Sequence, residues 1–508
     1  MRALVLTVLA LTILALRAHT WDEPLETDIT GAAVIGHELL QGRLLYTDIW
    51  DHKAPALHVT HAAAILVTGF GQWTIYVLGT AAAIVTLLGV YAAASALAAP
   101  VAGLWAAAFW TAIQGDLWLQ ANQPNTEVFV NACLVWAVAL LLGARADSRP
   151  GRLIAIGGLL ALGSLYKQVI VAPAAAVLVA HVLLPPEGAS RRRALVDVVL
   201  VASIVTVAWS GVLGYFALAG RFADFWGAVV DYNRHYVRIF GPLSRTLLEA
   251  FRPQRLFPSI MVGLVPALAL AAVGVVLGLA RPPRRRWGLF LALAASIPVA
   301  VGLPGGRFFP HYYQLWLPTL AIGAGGAVGL LLHLSHGRVL WGAVVGGATL
   351  FLLAVMEAPF YALPPDEWSM IKYNRIFVEE RRLGHKIDRL LEPGETFYTW
   401  GNEIGLHFWA RRRPPAGVWS VWPVVLGPQR HGLQARVLAD LERARPELVV
   451  QARWTDGLFA DVKVLDWIAT HYRPVDPHPL DVFLLFVRRD GRLDRQLQRR
   501  GQQVGFGR

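Results

Sequence analysis

The sequence predicts an all-α polytopic membrane bundle followed by a small extramembrane α/β domain. Three observations predict it. The 508 residues are 56% hydrophobic with a mean hydropathy of +0.48, too apolar for a water-soluble globule of this length. Charge is gathered into short cationic clusters between long uncharged runs. Composition then shifts after residue 357, where short β-rich runs such as "PELVVQA" (446–452) and "DVFLLFV" (481–487) appear. The expected domains are 1–357, spanning the membrane and including a first outer loop at 19–72, and 358–508.

About 18–20 apolar residues cross a bilayer as a helix. Candidate spans lie at 3–18, 73–97, 101–116, 127–144, 152–165, 168–184, 194–218, 257–280, 287–303, 311–333 and 339–357, eleven in all. The first is read as an uncleaved span rather than a signal peptide, because no clear small-x-small cleavage site follows it. The net charge of +12 does not point to nucleic acid. Its cations form loops such as "RADSRPGR" (145–152), "SRRR" (190–193), "RPPRRRW" (281–287) and "SHGR" (335–338). Placing all four in the cytoplasm puts the N-terminus inside and the C-terminal domain outside a bacterial-type inner membrane. The segment 56–69 is then an interfacial helix, with His58 and His61 near the polar boundary. The Arg-rich tail from "RRDGRLDRQLQRR" onward is expected to be solvated and frayed. The single Cys133 excludes an internal disulfide and a cysteine-based metal site.

By this parity the outer face holds 19–72, 117–126, 219–256, 305–311 and everything after 357, and the unusual polarity is concentrated there. In the first of these loops Ala32, Ile35, Leu39 and Leu40 recur at helical spacing, which predicts an amphipathic helix along the membrane surface. Asp28 opens it, as an N-cap or as a functional acid. "YTDIWDHKAP" (46–55) then crowds Asp48, Asp51, His52 and Lys53 beside a membrane. Ionisable groups are costly there unless water, metal or substrate compensates them. Lysine is scarce, five against 41 arginines, and only Lys53 and Lys167 precede residue 358.

The stretch "LETDITGAAVIGHELLQGRLLYTDIWDHKAP" resembles the first outer loop of bacterial family 39 glycosyltransferases. These are relatives of protein O-mannosyltransferases and of the lipid A aminoarabinose transferase, in the GT-C superfamily. The matching residues are Glu26, Asp28, Gly42, Tyr46, Asp48, His52 and Lys53, with "KAP" in place of the family's "KPP". Later loops extend the resemblance in the same order: "QPNTEVF" (123–129), "SLYKQVIVAP" (164–173), "GGRFFPHYYQLWLP" (305–318) and "YTWGNEIGLHFWARRRPPA" (398–416).

The resemblance implies a GT-C bundle and a reaction. A sugar passes from a polyprenyl-phosphate carrier to an acceptor hydroxyl on the outer face, with inversion at the anomeric carbon. Such chemistry needs a base for the acceptor proton and cations for the departing phosphate. Carried over, Asp28 is the base and Glu26 its rival. Lys53 and Arg307 hold the phosphate, with Arg234, His235 and His311 as further candidates. Glu127, Asp48 and His52 form either a site for a divalent ion or a hydrogen-bonded polar network. No nucleotide-binding motif appears, as a lipid-linked donor requires. The partners expected are the donor, membrane lipids and an acceptor that is lipid, glycan or protein. The competing class is a transporter or flippase, which would carry its polarity at mid-span in broken helices; here it sits at outer mouths.

Overall fold

The computed structural model describes residues 1–146, 150–281, 284–334, 339–458, 462–475 and 481–499. The cationic clusters at 145–152 and 281–287 lie partly outside the described residues. The cluster at 335–338 and the tail after 499 lie wholly outside them.

All eleven expected spans are helical. Among the described residues five helices are long and apolar enough to cross a membrane: Arg2–His19, Gln72–Leu97, Arg191–Leu218, Ser259–Leu279 and Pro310–Leu334. Helices also occupy the other six positions, Pro100–Ile113, Thr126–Leu142, Pro150–Tyr166, Gln168–Leu183, Arg285–Gly302 and Val339–Glu357. Local chemistry sets several starts. The Asn125 side chain accepts from the Thr126 N–H, Ser190 accepts from Arg193, and Pro100 occupies the first turn of its helix.

By packing, the chain divides into two compact units. The first comprises Met1–Asp22, Ile75–Gly220 and Val237–Pro364. Its most buried long helix is Pro310–Leu334. This helix meets Pro100–Ile113 so closely that a Cβ at Gly325 would lie 2.5 Å from the Ala106 nitrogen; a small residue is required there.

The second unit comprises Glu23–Thr74, Arg221–Tyr236 and Pro365–Arg508. The sequence division at 357 follows chain position. By packing, the first outer loop and part of the loop 219–256 group with the C-terminal segment. That segment folds around a mixed sheet of β1 (Phe397–Trp400), β2 (Leu448–Ala452), β3 (Tyr472–Pro474) and β4 (Phe483–Arg488), in the order β1-β2-β4-β3. β1 and β2 are parallel, and β4 runs antiparallel to both β2 and β3. Phe397, Val450, Phe483 and Leu485 form its core with Leu383 and Ile387 of helix Ile376–Leu390.

Three local features are more tightly packed than the sequence alone suggests. Helix Thr27–Leu40 is packed within the protein. It is buried on most sides, between helix Ala56–Thr68 and helix Gly405–Ala410. Small residues allow this: a Cβ at Gly36 would meet the Ala62 nitrogen at 2.8 Å. His58 and His61 are fully buried, His58 facing a buried carboxylate and the His61 ring bonding the Leu57 carbonyl. The described part of the tail forms helix Arg492–Arg499, with Leu493 and Leu497 in the core and Arg492 paired with Glu395.

Candidate active site

Helix Thr27–Leu40 begins with a division of labour between two acids. Glu26 is the N-cap, its side chain accepting from the Asp28 N–H at 2.9 Å. Asp28 therefore sits in the first helical turn and is not the cap. Its Oδ1 accepts from the Lys53 ammonium at 2.7 Å, which sets a full positive charge against the carboxylate. The pair is two-thirds buried or more on each side.

The turn that delivers Lys53 is tightly specified. Tyr46 adopts a positive φ of 70°, and its hydroxyl donates to the Lys53 carbonyl at 2.8 Å. Its ring is buried edge-on against Phe225 at 5.4 Å. Trp50 N–H donates to the Gly417 carbonyl at 2.8 Å, and Asp48 accepts from the Leu44 N–H at 2.8 Å. Asp48 thus shapes the turn.

Behind Lys53 lies a residue that the sequence reading named but gave no role. Asp51 is buried, with His58 Nε2 at 3.1 Å and His52 Nδ1 at 3.2 Å from its oxygens. Burial alone would raise its proton affinity, but Lys53, His52 and His58 outweigh burial and hold the carboxyl well below the usual range. Burial would likewise depress the Lys53 ammonium. Asp28 and Asp51 reverse that, and it stays protonated beyond the ordinary lysine range. The result is a string of polar groups, Asp28, Lys53, Asp51 and His58, in which Lys53 bonds Asp28 and also interacts electrostatically with Asp51. His52 continues it outward, stacked on Tyr236 at 5.7 Å, with its carbonyl accepting from Asn233 at 2.8 Å.

The other expected residues have separate surroundings. Arg234 is exposed, 3.9 Å from Asp231 and 6.0 Å over the Trp226 ring, and His235 is exposed beside it. In the first unit, Glu127 is buried and bonded to Lys167, whose ammonium also lies 4.1 Å over the Tyr312 ring. His311 Nδ1 is 3.3 Å from Gln120 Oε1, and the Arg307 guanidinium lies 4.8 Å over Phe240. Glu127, Lys167, His311 and Tyr312 thus come from three separate loops of the sequence to one helix mouth. For the divalent ion, the arrangement of the three named ligands favours other work. Asp48 takes a backbone N–H, His52 faces Asp51, and Glu127 takes Lys167. Among the described residues no group of three or more His, Cys, Asp or Glu has metal-holding geometry.

The loop is locked to the C-terminal segment by ion pairs. Glu38, buried on the same helix as Asp28, accepts from Arg413 at 2.8, 2.9 and 3.1 Å, and Arg43 lies at 3.2 Å. Burial opposes its ionisation, but His37, Arg413 and Arg43 prevail and bring the carboxyl down to about 2. Glu23 pairs with Lys372, both fully buried. None of these partners is signalled by local spacing.

No family model and no curated protein matches the chain. Solved structures do. ArnT from Cupriavidus metallidurans in the apo state is 16% identical with a TM-score of 0.64, covering 95% of this chain and 97% of that one. ArnT bound to undecaprenyl phosphate gives 16% and 0.61 over the same shares. The Archaeoglobus fulgidus oligosaccharyltransferase AglB, in complex with an inhibitory peptide and a dolichol-phosphate, gives 13% and 0.57, covering 94% of this chain and 73% of that one. Identity this low speaks to architecture, and the likeness runs through nearly the whole chain. The chain therefore has the fold of the GT-C membrane enzymes.

Proposed function

We propose that this chain is a membrane glycosyltransferase of the family 39 type. It moves a hexose or pentose from a polyprenyl-phosphate carrier to an acceptor hydroxyl on the outer face of a bacterial-type inner membrane, with inversion. The single observation that carries the proposal is the Asp28–Lys53 pair. It stands at the start of the first-loop helix, in a chain that shares the fold of two enzymes solved with polyprenyl or dolichol phosphates.

Asp28 acts as the base. Its carboxylate takes the acceptor proton as the acceptor oxygen attacks the anomeric carbon. The bond from that carbon to the phosphate oxygen breaks, and the electron pair leaves on the polyprenyl phosphate. Lys53 uses one of three N–H donors on Asp28, and the ammonium has two left for phosphate oxygens. Arg307, His311, Arg234 and His235 are the further candidate donors for the carrier phosphate, Arg234 and His235 being exposed. Glu26 caps the helix and fixes the Asp28 backbone. Glu127, Asp48 and His52 are structural members of polar networks in this reading.

The test compares Asp28→Asn with Glu26→Gln in a deletion strain, with polyprenyl-linked sugars and envelope glycoconjugates quantified by mass spectrometry. Asparagine keeps an oxygen for Lys53 and loses the basicity, so transfer should fall by about 10²-fold or more and the linked sugar should accumulate. Glu26→Gln should cost less. Normal transfer by well-expressed Asp28→Asn together with an inactive Glu26→Gln would move the base to Glu26. Activity in both would sink the mechanism.

A further inference from the structure

The second unit contains a cavity of about 700 Å³ whose wall includes Glu26 and Thr27, the two residues just before Asp28. This volume is within the ~300–1,000 Å³ usual for small-molecule sites. Opposite chemistries meet in it. Trp422 and Trp454 are stacked, with centroids 5.4 Å apart and planes 23° from parallel. Although stacked, they remain 40% and 36% exposed and both line the cavity, so indole surface is left for a ligand. Beside it Glu403 is buried, with Oε1 accepting from Trp454 Nε1 at 2.8 Å and Oε2 from the Asn402 N–H at 2.7 Å. The Asn402 side-chain oxygen is taken by the Ser420 hydroxyl at 2.6 Å, so its amide N–H groups are what it offers a ligand. Arg375 completes the polar set.

This lining selects by charge and shape. The Glu26 carboxylate disfavours an anion and Arg375 disfavours a cation, while burial pushes Glu403 up toward its neutral form. A wholly apolar ligand would strand all of these polar groups. What remains is a neutral molecule with a flat C–H face for the indoles and an edge of hydroxyls that both donate and accept. A pyranose or furanose ring has both.

We infer that this cavity is an acceptor subsite that binds a neutral sugar ring, so that the acceptor is an oligosaccharide or a sugar-bearing lipid. The inference rests on the transferase reading for the word acceptor only. Glu26 and Thr27 of the cavity wall immediately precede Asp28 in the chain, so the cavity adjoins the helix start from which the proposed base projects. Trp422 sets the apolar face, and Glu403, fixed by two N–H donors, orients the hydroxyl edge.

The experiment is calorimetric titration of the full-length, detergent-solubilised protein with neutral trisaccharides of glucose, mannose, galactose and N-acetylglucosamine. Each is used with and without an alkyl aglycone. A panel of Ser- and Thr-containing peptides is run in parallel. At least one trisaccharide should bind saturably. Trp422→Ala should weaken it at least tenfold and Trp422→Phe should recover most of the loss, with the thermal midpoint of each variant checking the fold. Glu403→Gln should narrow the preference among the sugars. Equal affinity of the two forms identifies a glycan, and tighter binding of the alkylated form identifies a glycolipid headgroup. No binding by any trisaccharide, binding unaffected by Trp422→Ala, or binding of peptides instead overturns the inference. A chain that transfers to peptide and binds no sugar loses this subsite and remains a transferase. One that binds the trisaccharide but leaves polyprenyl-linked sugars unconsumed keeps the subsite and loses the transferase reading.

Discussion

Glu38→Gln is the sharpest test of how the first outer loop is held. The carboxyl moves from an ordinary 4.5 to about 2 on folding. At about 1.36 kcal/mol per tenfold change in proton affinity, that is about 3 kcal/mol of stability at neutral pH. Glutamine keeps one acceptor oxygen for the Arg413 fork, so a loss of about 2–3 kcal/mol is the working figure. Because Glu38 locks helix Thr27–Leu40 to the C-terminal segment, the loss should appear as local opening. Hydrogen exchange followed by mass spectrometry on the full-length protein reads it directly. Protection of peptides from 27–40 at pH 7 should drop roughly thirty- to a hundredfold. A depressed carboxyl contributes stability that is fully present above about pH 4.5 and is lost as pH falls towards 2. The gap between wild type and variant should therefore shrink to about tenfold at pH 3. Protection within threefold of wild type at pH 7, or a gap that is the same at pH 3, refutes the account.

Two further outcomes are expected. Lys53→Ala and Arg307→Ala should each weaken undecaprenyl phosphate binding about tenfold or more, since a charged hydrogen bond is worth roughly 1.5–3 kcal/mol; unchanged affinity in both removes them from phosphate recognition. A reporter active only outside the cytoplasm, fused after residue 357, should be active, and a cytoplasmic signal there would overturn the assignment of the proposed active face.

The membrane class and the position of every apolar helix were legible because hydropathy is a local property summed over about twenty residues. The first-loop helix was legible from spacing, and so were β2 and β4, whose apolar runs are bounded by breakers. What spacing does not carry is partnership. Spacing leaves Asp28 open as N-cap or functional acid; Glu26 takes the cap, and no local rule distinguishes two acids two residues apart. Lys53 meets Asp28 across 25 residues, and Glu38 meets Arg413 across 375. Asp51 and His58 are each unremarkable on a polar turn and an apolar helix, and only the fold buries them face to face. The Trp422–Trp454 stack joins a five-residue helix, Val421–Val425, to a single turn at Arg453–Thr455, elements too short for periodicity to register. β1 and β3 escaped for the same reason, at four and three residues.

The Glu38–Arg413 lock has a consequence for the growing chain. The ribosome makes Glu38 long before Arg413, and at roughly 5–20 residues per second the interval is on the order of tens of seconds. Throughout that time the helix bearing Asp28 has left the ribosome without the partner that neutralises its buried acid. The nascent loop therefore waits, with Glu38 needing water or a chaperone, until just over four-fifths of the chain exists. Ribosome stalling or premature termination between Glu357 and Arg413 yields a chain with its apolar helices complete and the helix of the proposed base without its Arg413 anchor.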